Sequence, residues 1–337
     1  MKILFDHHCP FGLAHGGIQI QIEQTRAALH QLGVQVEPLR WWDDQQAGDI
    51  IHYFGAAPTS YQRLAAQKNI PLVQSLVFSE TCNRPPGRLR LQALATRFLM
   101  ALPVGRSVIS QLNWSAFHNA QLAIVGLEAE ACILRQVYSV PPERIRRVPL
   151  GCDTVFMNAA PAAKDGDHLV CVGTITPQKR TVELAEMAVA AQTPVLFIGM
   201  PYSHSSPYWT RFKSLVDGRL IRHEPHVADR ARLVELMRRA RGFALYSTYE
   251  NWSLAADEAA ACGLPLLLPD LPWSRERFGA NAQYFSQKSG GENVRRLRAF
   301  FDQCPTLPAP PKPCSWTDAA LKLKGIYAEL IAQADVR

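Results

Sequence analysis

The sequence predicts an α/β protein built of two Rossmann-like halves, and three observations carry that expectation. Its 337 residues exceed the roughly 250 to 300 that one hydrophobic core usually spans. Short apolar runs alternate with helical patterns, first in one half and again in the other, as a parallel sheet with helices on both faces requires. Between the halves lie residues 158–168, small, polar and unpatterned, as linkers are.

The first half opens on residues 2–6, which read as a buried strand, and continues into a loop carrying His15-Gly16-Gly17. Apolar residues then recur at helical spacing over 18–32, and Gly33 stops the pattern. Strands follow at 35–39, 49–54 and 71–77, with a helix around 60–67; from 77 to 126 only the rhythm of the fold is legible. The second half places strands at 169–172, 195–198, 220–223, 243–247 and 264–268, with helical patterns between them. The linker divides the chain into domains at 1–157 and 158–314. A proline-rich stretch then precedes 315–337, where Ala319, Leu323, Ile326, Tyr327, Leu330 and Ile331 share one helical face that must be buried.

Hydrophobic residues make up 47% of the chain and charged residues 19%, enough to fill two cores and too little charge for a disordered chain. No apolar run approaches the roughly 20 residues of a membrane span, and no secretory h-region opens the sequence, so the expected location is cytoplasmic, with membrane-peripheral contact allowed. The eight cysteines are scattered, without a C-x-x-C pair or zinc spacing, and read as buried thiols of a reducing compartment. A net charge of +7 favours an anionic partner: a nucleotide, a nucleic acid or a membrane surface. The absence of any nucleic-acid-binding module argues against the second.

The chemistry concentrates between 243 and 268. Ser253 suits an N-cap, residues 254–262 are strong helix formers, and Gly263 then Pro265 close the helix. The helix start, with its free N–H groups, would face the loop above the carboxyl edge of the sheet, where a diphosphate would sit well. Glu250 and Glu258 flank that place, and carboxylates beside a diphosphate serve to accept hydrogen bonds from sugar and ribose hydroxyls.

The run Ser247-Thr-Tyr-Glu-Asn-Trp-Ser-Leu-Ala-Ala-Asp-Glu258, continuing to Pro265, resembles the signature of the retaining GT-B glycosyltransferases of family 4. In the same order, the segment 138–153 ending in Gly-Cys-Asp resembles their lead-in to the second domain, Gly173-Thr174 to Lys179 resembles their basic phosphate loop, and Gly16-Gly17 matches their first glycine loop. The resemblance implies a GT-B fold, two Rossmann-like domains facing each other across a cleft. The N-terminal domain would bind the acceptor, the C-terminal one the nucleotide sugar, and the last helix would cross back to the first domain. By similarity, Glu258 holds the ribose hydroxyls and Glu250 the donor sugar, with support from the backbone of Asn251, Trp252, Ser253 and Leu254. Lys179 and Arg180 neutralise the leaving diphosphate, and Gly16 and Gly17 let the backbone approach the donor. The implied activity is metal-independent transfer of a hexose, with retention, from a UDP- or GDP-type sugar to a glycan, lipid-linked or small-molecule acceptor, in polysaccharide or glycoconjugate synthesis. No cofactor is implied beyond the donor substrate itself.

Thr174 stands where the family usually has arginine, which makes Arg180 and Arg275 the candidates for the missing charge. Leu150 replaces the asparagine often found before Gly-x-Asp, and His15 is a further candidate near the first glycine loop. Two alternatives stay open: a GT-B epimerase or phosphorylase, and a catalytically degenerate nucleotide-sugar-binding protein. Arg84, Arg88, Arg90, Arg97 and Arg106 interleave with Leu91, Leu94, Phe98, Leu99 and Leu102. The favoured reading is a helix packing its Leu/Phe face inward, the other a contact with an anionic membrane. Arg230, Arg232, Arg238, Arg239 and Arg241 read as a solvated helix face.

Overall fold

The computed structural model describes residues 1–8, 11, 16–76, 81–102, 114–286 and 290–335. Two compact units divide the chain: Met1–Gly151 with Trp316–Arg337, and Cys152–Ser315.

The first unit holds strands β1 (Lys2–His7), β2 (Gln35–Pro38), β3 (Ile50–Phe54), β4 (Leu72–Ser75), β5 (Leu122–Val125) and β6 (Ile145–Arg147). They pair in parallel in the order β2-β1-β3-β4-β5-β6. Every residue of β3, β4 and β5 is buried, as strands covered on both faces must be. The second unit holds β7 (Leu169–Val172), β8 (Val195–Ile198), β9 (Ile221–Glu224), β10 (Gly242–Ala244), β11 (Leu266–Pro269) and β12 (Gln283–Phe285). Its parallel order is β9-β8-β7-β10-β11-β12. Strand order reverses between β1 and β3 in one sheet and between β7 and β10 in the other. Crevices at such reversals, beyond the carboxyl ends of the strands, are where open α/β sheets bind ligands.

The division falls at Gly151/Cys152 and not after residue 157. The helix Thr154–Met157, capped by the Asp153 side chain, packs on the helices Arg230–Arg238 and Leu254–Ala261 of the second unit and fully buries Phe156 there. Cys152 N–H donates to the Cys314 carbonyl at 2.8 Å and Cys152 bridges Ser315, so the two ends of this unit are tied side by side.

The terminal helix Trp316–Asp335 groups with the first unit and packs against the helix Gly17–Gln31. Tyr327 is its fully buried anchor. Its hydroxyl meets His52 Nδ1 at 2.5 Å, and His52 Nε2 meets Ser75 Oγ at 2.7 Å. Burial holds the His52 imidazole down to about 3 and raises the Tyr327 phenol far above its ordinary value, so both are neutral.

The helix Pro86–Ala101 corrects an expectation. Leu91, Leu94 and Phe98 are 68%, 63% and 68% exposed, so the Leu/Phe face points outward. The inward stripe is the smaller one of Leu89 and Ala93, which packs on the cluster of Trp114, Ile133 and Leu134. Arg106 lies outside the described residues. The structure also adds β5, β6 and β12, none of which is legible as a strand in the sequence.

Candidate active site

The site grows from two loops that leave the carboxyl ends of the neighbouring strands β7 and β10. After β7 the chain turns at Gly173 (φ +155). Gly199, after β8, must also be glycine: a Cβ there would sit 2.0 Å from the Gly173 carbonyl oxygen, at a φ of +149 that side chains rarely adopt. The Gly173 to Lys179 loop is thereby pressed onto its neighbour, and Ile175 N–H donates to the Met200 carbonyl at 3.0 Å.

That loop is stitched to the one after β10. Thr248 donates to the Gln178 carbonyl through its N–H at 2.8 Å and its hydroxyl at 3.0 Å, and Gln178 Nε2 donates to the Tyr249 carbonyl at 3.2 Å. The stitching brings Lys179 Nζ against Glu250 Oε1 as an ion pair, and Ser247 Oγ donates to the same oxygen at 2.7 Å. Glu250 is buried. Lys179 carries on into Arg180, left-handed at φ 48, whose guanidinium lies 5.1 Å from the Tyr246 ring centroid.

Beyond Glu250 the helix Leu254–Ala261 begins where the sequence places it. Ser253 Oγ accepts from Ala256 N–H at 3.3 Å, while the amides of Leu254 and Ala255, at the helix start, have no intrahelical partner. Trp252 donates its indole N–H to Asp257 at 2.6 Å, and Arg277 donates to the other oxygen of Asp257 at 2.9 Å. The Asn251 side-chain amide nitrogen is buried without a hydrogen-bond partner among the described residues.

Glu258 lies one turn into this helix, buried and ion-paired through Oε1 with Arg230. Arg230 also lies 3.7 Å from Asp153 and 4.6 Å over the Phe156 ring. Burial raises the Glu258 carboxyl above its ordinary range; Arg230 opposes this, and Asp153 and Asp257 add to it. Burial likewise lifts Asp257 to about 6 against the pull of Arg277 and Trp252. Chemically, the arrangement offers an ammonium and helix amides for an anion, and two carboxylates to accept hydroxyl hydrogen bonds. No group of three or more His, Cys, Asp or Glu side chains placed to hold a metal ion occurs among the described residues.

No family model matches the chain, and no curated protein does. Among solved structures, a sucrose-phosphate synthase from Thermosynechococcus elongatus is similar with a TM-score of 0.67 at 15% identity, over 99% of this chain and 100% of that one. A glycosyltransferase from Rickettsia africae gives 0.64 at 11% identity, covering 98% of both chains. Anabaena HepE, solved in complex with UDP and glucose, gives 0.63 at 13% identity over 99% of this chain and 98% of that one. The fold is GT-B. At these identities the likeness extends to two parallel-sheet α/β units in one chain, and the site rests on its own geometry.

Within the GT-B chain, the sequence-derived candidates of the second unit fall into one neighbourhood. Gly173, Lys179, Glu250, Asn251, Ser253 and Leu254 line the two stitched loops and the helix start, with Thr174 one residue after the Gly173 turn. Arg275 is engaged elsewhere: it makes a two-pronged ion pair with Asp270 at 2.6 and 2.9 Å and stacks 3.6 Å over Tyr284. Gly16 and Gly17 belong to the first unit, where Gly16 (φ 144) precedes the helix Gly17–Gln31. His15 lies outside the described residues. Sequence reasoning missed Arg230, which is not part of a solvated face. Arg241 is likewise not free: it donates to the Gly166 carbonyl at 2.8 Å and covers the Phe301 ring at 4.5 Å. Gly199 was also missed, and its only sequence signal is a glycine closing a strand.

Proposed function

We propose that this chain is a glycosyltransferase that moves a hexose, with retention, from a nucleoside diphosphate sugar to a hydroxyl of a glycan, lipid-linked or small-molecule acceptor. The observation that carries the reading is the Lys179–Glu250 pair at the strand-order reversal of β7 and β10, followed in the chain by the start of the Leu254–Ala261 helix, which carries Glu258. HepE was solved with UDP and glucose, and with UDP-glucose, which supports a donor of that type.

In this reading the diphosphate lies on the helix start and the Gly173 to Lys179 loop. Glu258 accepts from the ribose hydroxyls and Glu250 from the sugar. Lys179 holds the charge that builds on the leaving diphosphate, an electrostatic contribution worth most in a site closed to water. As the sugar carbon leaves its phosphate oxygen, the acceptor oxygen bonds to that carbon on the same face, and the acceptor proton passes to the departing phosphate. The reaction needs no side-chain base. Thr174 brings no charge to the phosphates, so Lys179 and the backbone carry the load that the family shares with an arginine. Gly16 and Gly17 stand at the corresponding reversal of the first sheet.

A panel of nucleotide sugars tested by thermal shift identifies the donor without an acceptor, because a ligand at 100 times its dissociation constant adds about 2.7 kcal/mol. Glu258→Ala is expected to abolish that shift. Wild-type affinity for every nucleotide tested would remove Glu258 from the site. Lys179→Ala is expected to lower turnover about 100- to 1,000-fold, measured by release of the nucleoside diphosphate. Conversion of the donor alone into an isomer would instead establish an epimerase.

A further inference from the structure

We propose that the helix Pro86–Ala101 docks the first unit onto an anionic lipid surface, independently of what the chain catalyses. On this helix Leu91, Leu94 and Phe98 follow one another at the three- and four-residue spacing of a single face, and all three are more than 60% exposed. The opposite stripe, Leu89 and Ala93, is the one that faces the core. The outward apolar stripe is therefore left exposed and belongs to no core cluster among the described residues. Monomeric proteins rarely leave large side chains contiguous and uncovered without a use for them.

Charge decides the occupant. Arg90 and Arg97 flank the stripe on one side and Arg88 on the other, all exposed, and none makes an ion pair among the described residues. From Thr81 to Leu102 the chain has no Asp or Glu. A second copy docking through the same face would set these arginines against their own equivalents, a repulsive arrangement in an isologous contact. A bilayer of anionic lipid satisfies both features together: the Leu/Phe stripe enters the headgroup boundary to about 5–10 Å while the arginines meet phosphates. The helix, about 24 Å long, lies in the plane of the interface and does not cross it. No described helix is long and apolar enough to span a membrane.

The test is co-sedimentation of the full chain with vesicles of phosphatidylcholine alone and of phosphatidylcholine mixed with phosphatidylglycerol. Binding is expected only to the mixed vesicles, weakening as salt is added. Each of Arg88→Gln, Arg90→Gln and Arg97→Gln should lower vesicle affinity about fivefold. Leu94→Ser with Phe98→Ser should abolish binding while leaving the thermal unfolding midpoint unchanged, because both side chains are exposed. Equal binding to neutral vesicles, or wild-type binding by the double serine variant, would overturn the inference. So would absence of vesicle binding, whether or not the chain self-associates through this face.

Discussion

At the residue scale, the two glutamates of the site are buried beside cations of different kinds. Glu250 meets a lysine that a diphosphate can draw away. Glu258 meets Arg230, which is fixed to Asp153 and laid over Phe156, and its other oxygen makes no hydrogen bond among the described residues. We read Arg230 as a positioning residue that opposes the effect of burial on Glu258 and engages only one of its carboxylate oxygens. Without that guanidinium, burial acts on Glu258 unopposed, and its carboxyl rises further above the usual range. Arg230→Ala should therefore weaken nucleotide binding by about 1–3 kcal/mol at neutral pH, with part of the loss recovered as pH is raised. Arg230→Lys should restore most of it. Calorimetric titration across pH separates this from a purely structural effect, which would not recover with alkali.

Asp257 provides a second titration of known sign. Its folded pKa, about 6, stands above the unfolded value of 3.8. Between these values the folded state holds a proton that the unfolded state has lost, so this group's contribution to stability declines as pH rises through that window. A tenfold difference in proton affinity between the two states corresponds to about 1.4 kcal/mol. Denaturant unfolding of wild type and Asp257→Asn from pH 4 to 7 should show the wild type losing ground to the variant as pH rises.

At the element scale, the helix Leu254–Ala261 is the piece that gives the site its geometry. Ser253 is its cap, and Ser253→Ala should cost about 1 kcal/mol. Faster amide exchange is expected in residues 254–261 if the cap sets the start of this helix; unchanged exchange there would deny it that role. This element was legible in the sequence because cap, helix formers and terminating Gly263 are contiguous, and because Glu250 and Glu258 sit inside that frame. Arg230 was not legible, since it lies 28 residues from Glu258 among other arginines, and only tertiary pairing separates it from them. The helix Pro86–Ala101 shows the same limit. Periodicity reveals its Leu91, Leu94 and Phe98 stripe, yet the face that packs on the core cluster is that of Ala93, buried, and Leu89, partly buried. The strands β6 and β12 escaped notice for a different reason: with three residues each, and two arginines in β6, they offer no pattern to count.

At the scale of the whole molecule, the chain builds most of its first unit, then the second, and returns to finish the first with its last helix. The return is secured by a buried polar chain running from Tyr327 through His52 to Ser75, across strands β3 and β4. Tyr327→Phe removes only the hydroxyl and leaves His52 Nδ1 without its partner in a fully buried place, a loss of about 1–3 kcal/mol. Tyr327→Ala adds a cavity and should cost about 3–5 kcal/mol. Acid should act on the same spot. His52 binds its proton near 6.5 when unfolded and only near 3 when folded, so its contribution to stability is intact above pH 6.5 and is lost progressively as pH falls toward 3. The advantage of wild type over His52→Asn should accordingly shrink on acidification. Hydrogen exchange resolves where these losses fall: residues 1–151 and 316–335 should lose protection in Tyr327→Ala, while the second unit's helix Leu254–Ala261 keeps its own. Equal loss in both units would mean that they unfold as one, and that the terminal helix stabilises more than the sheet on which it lies.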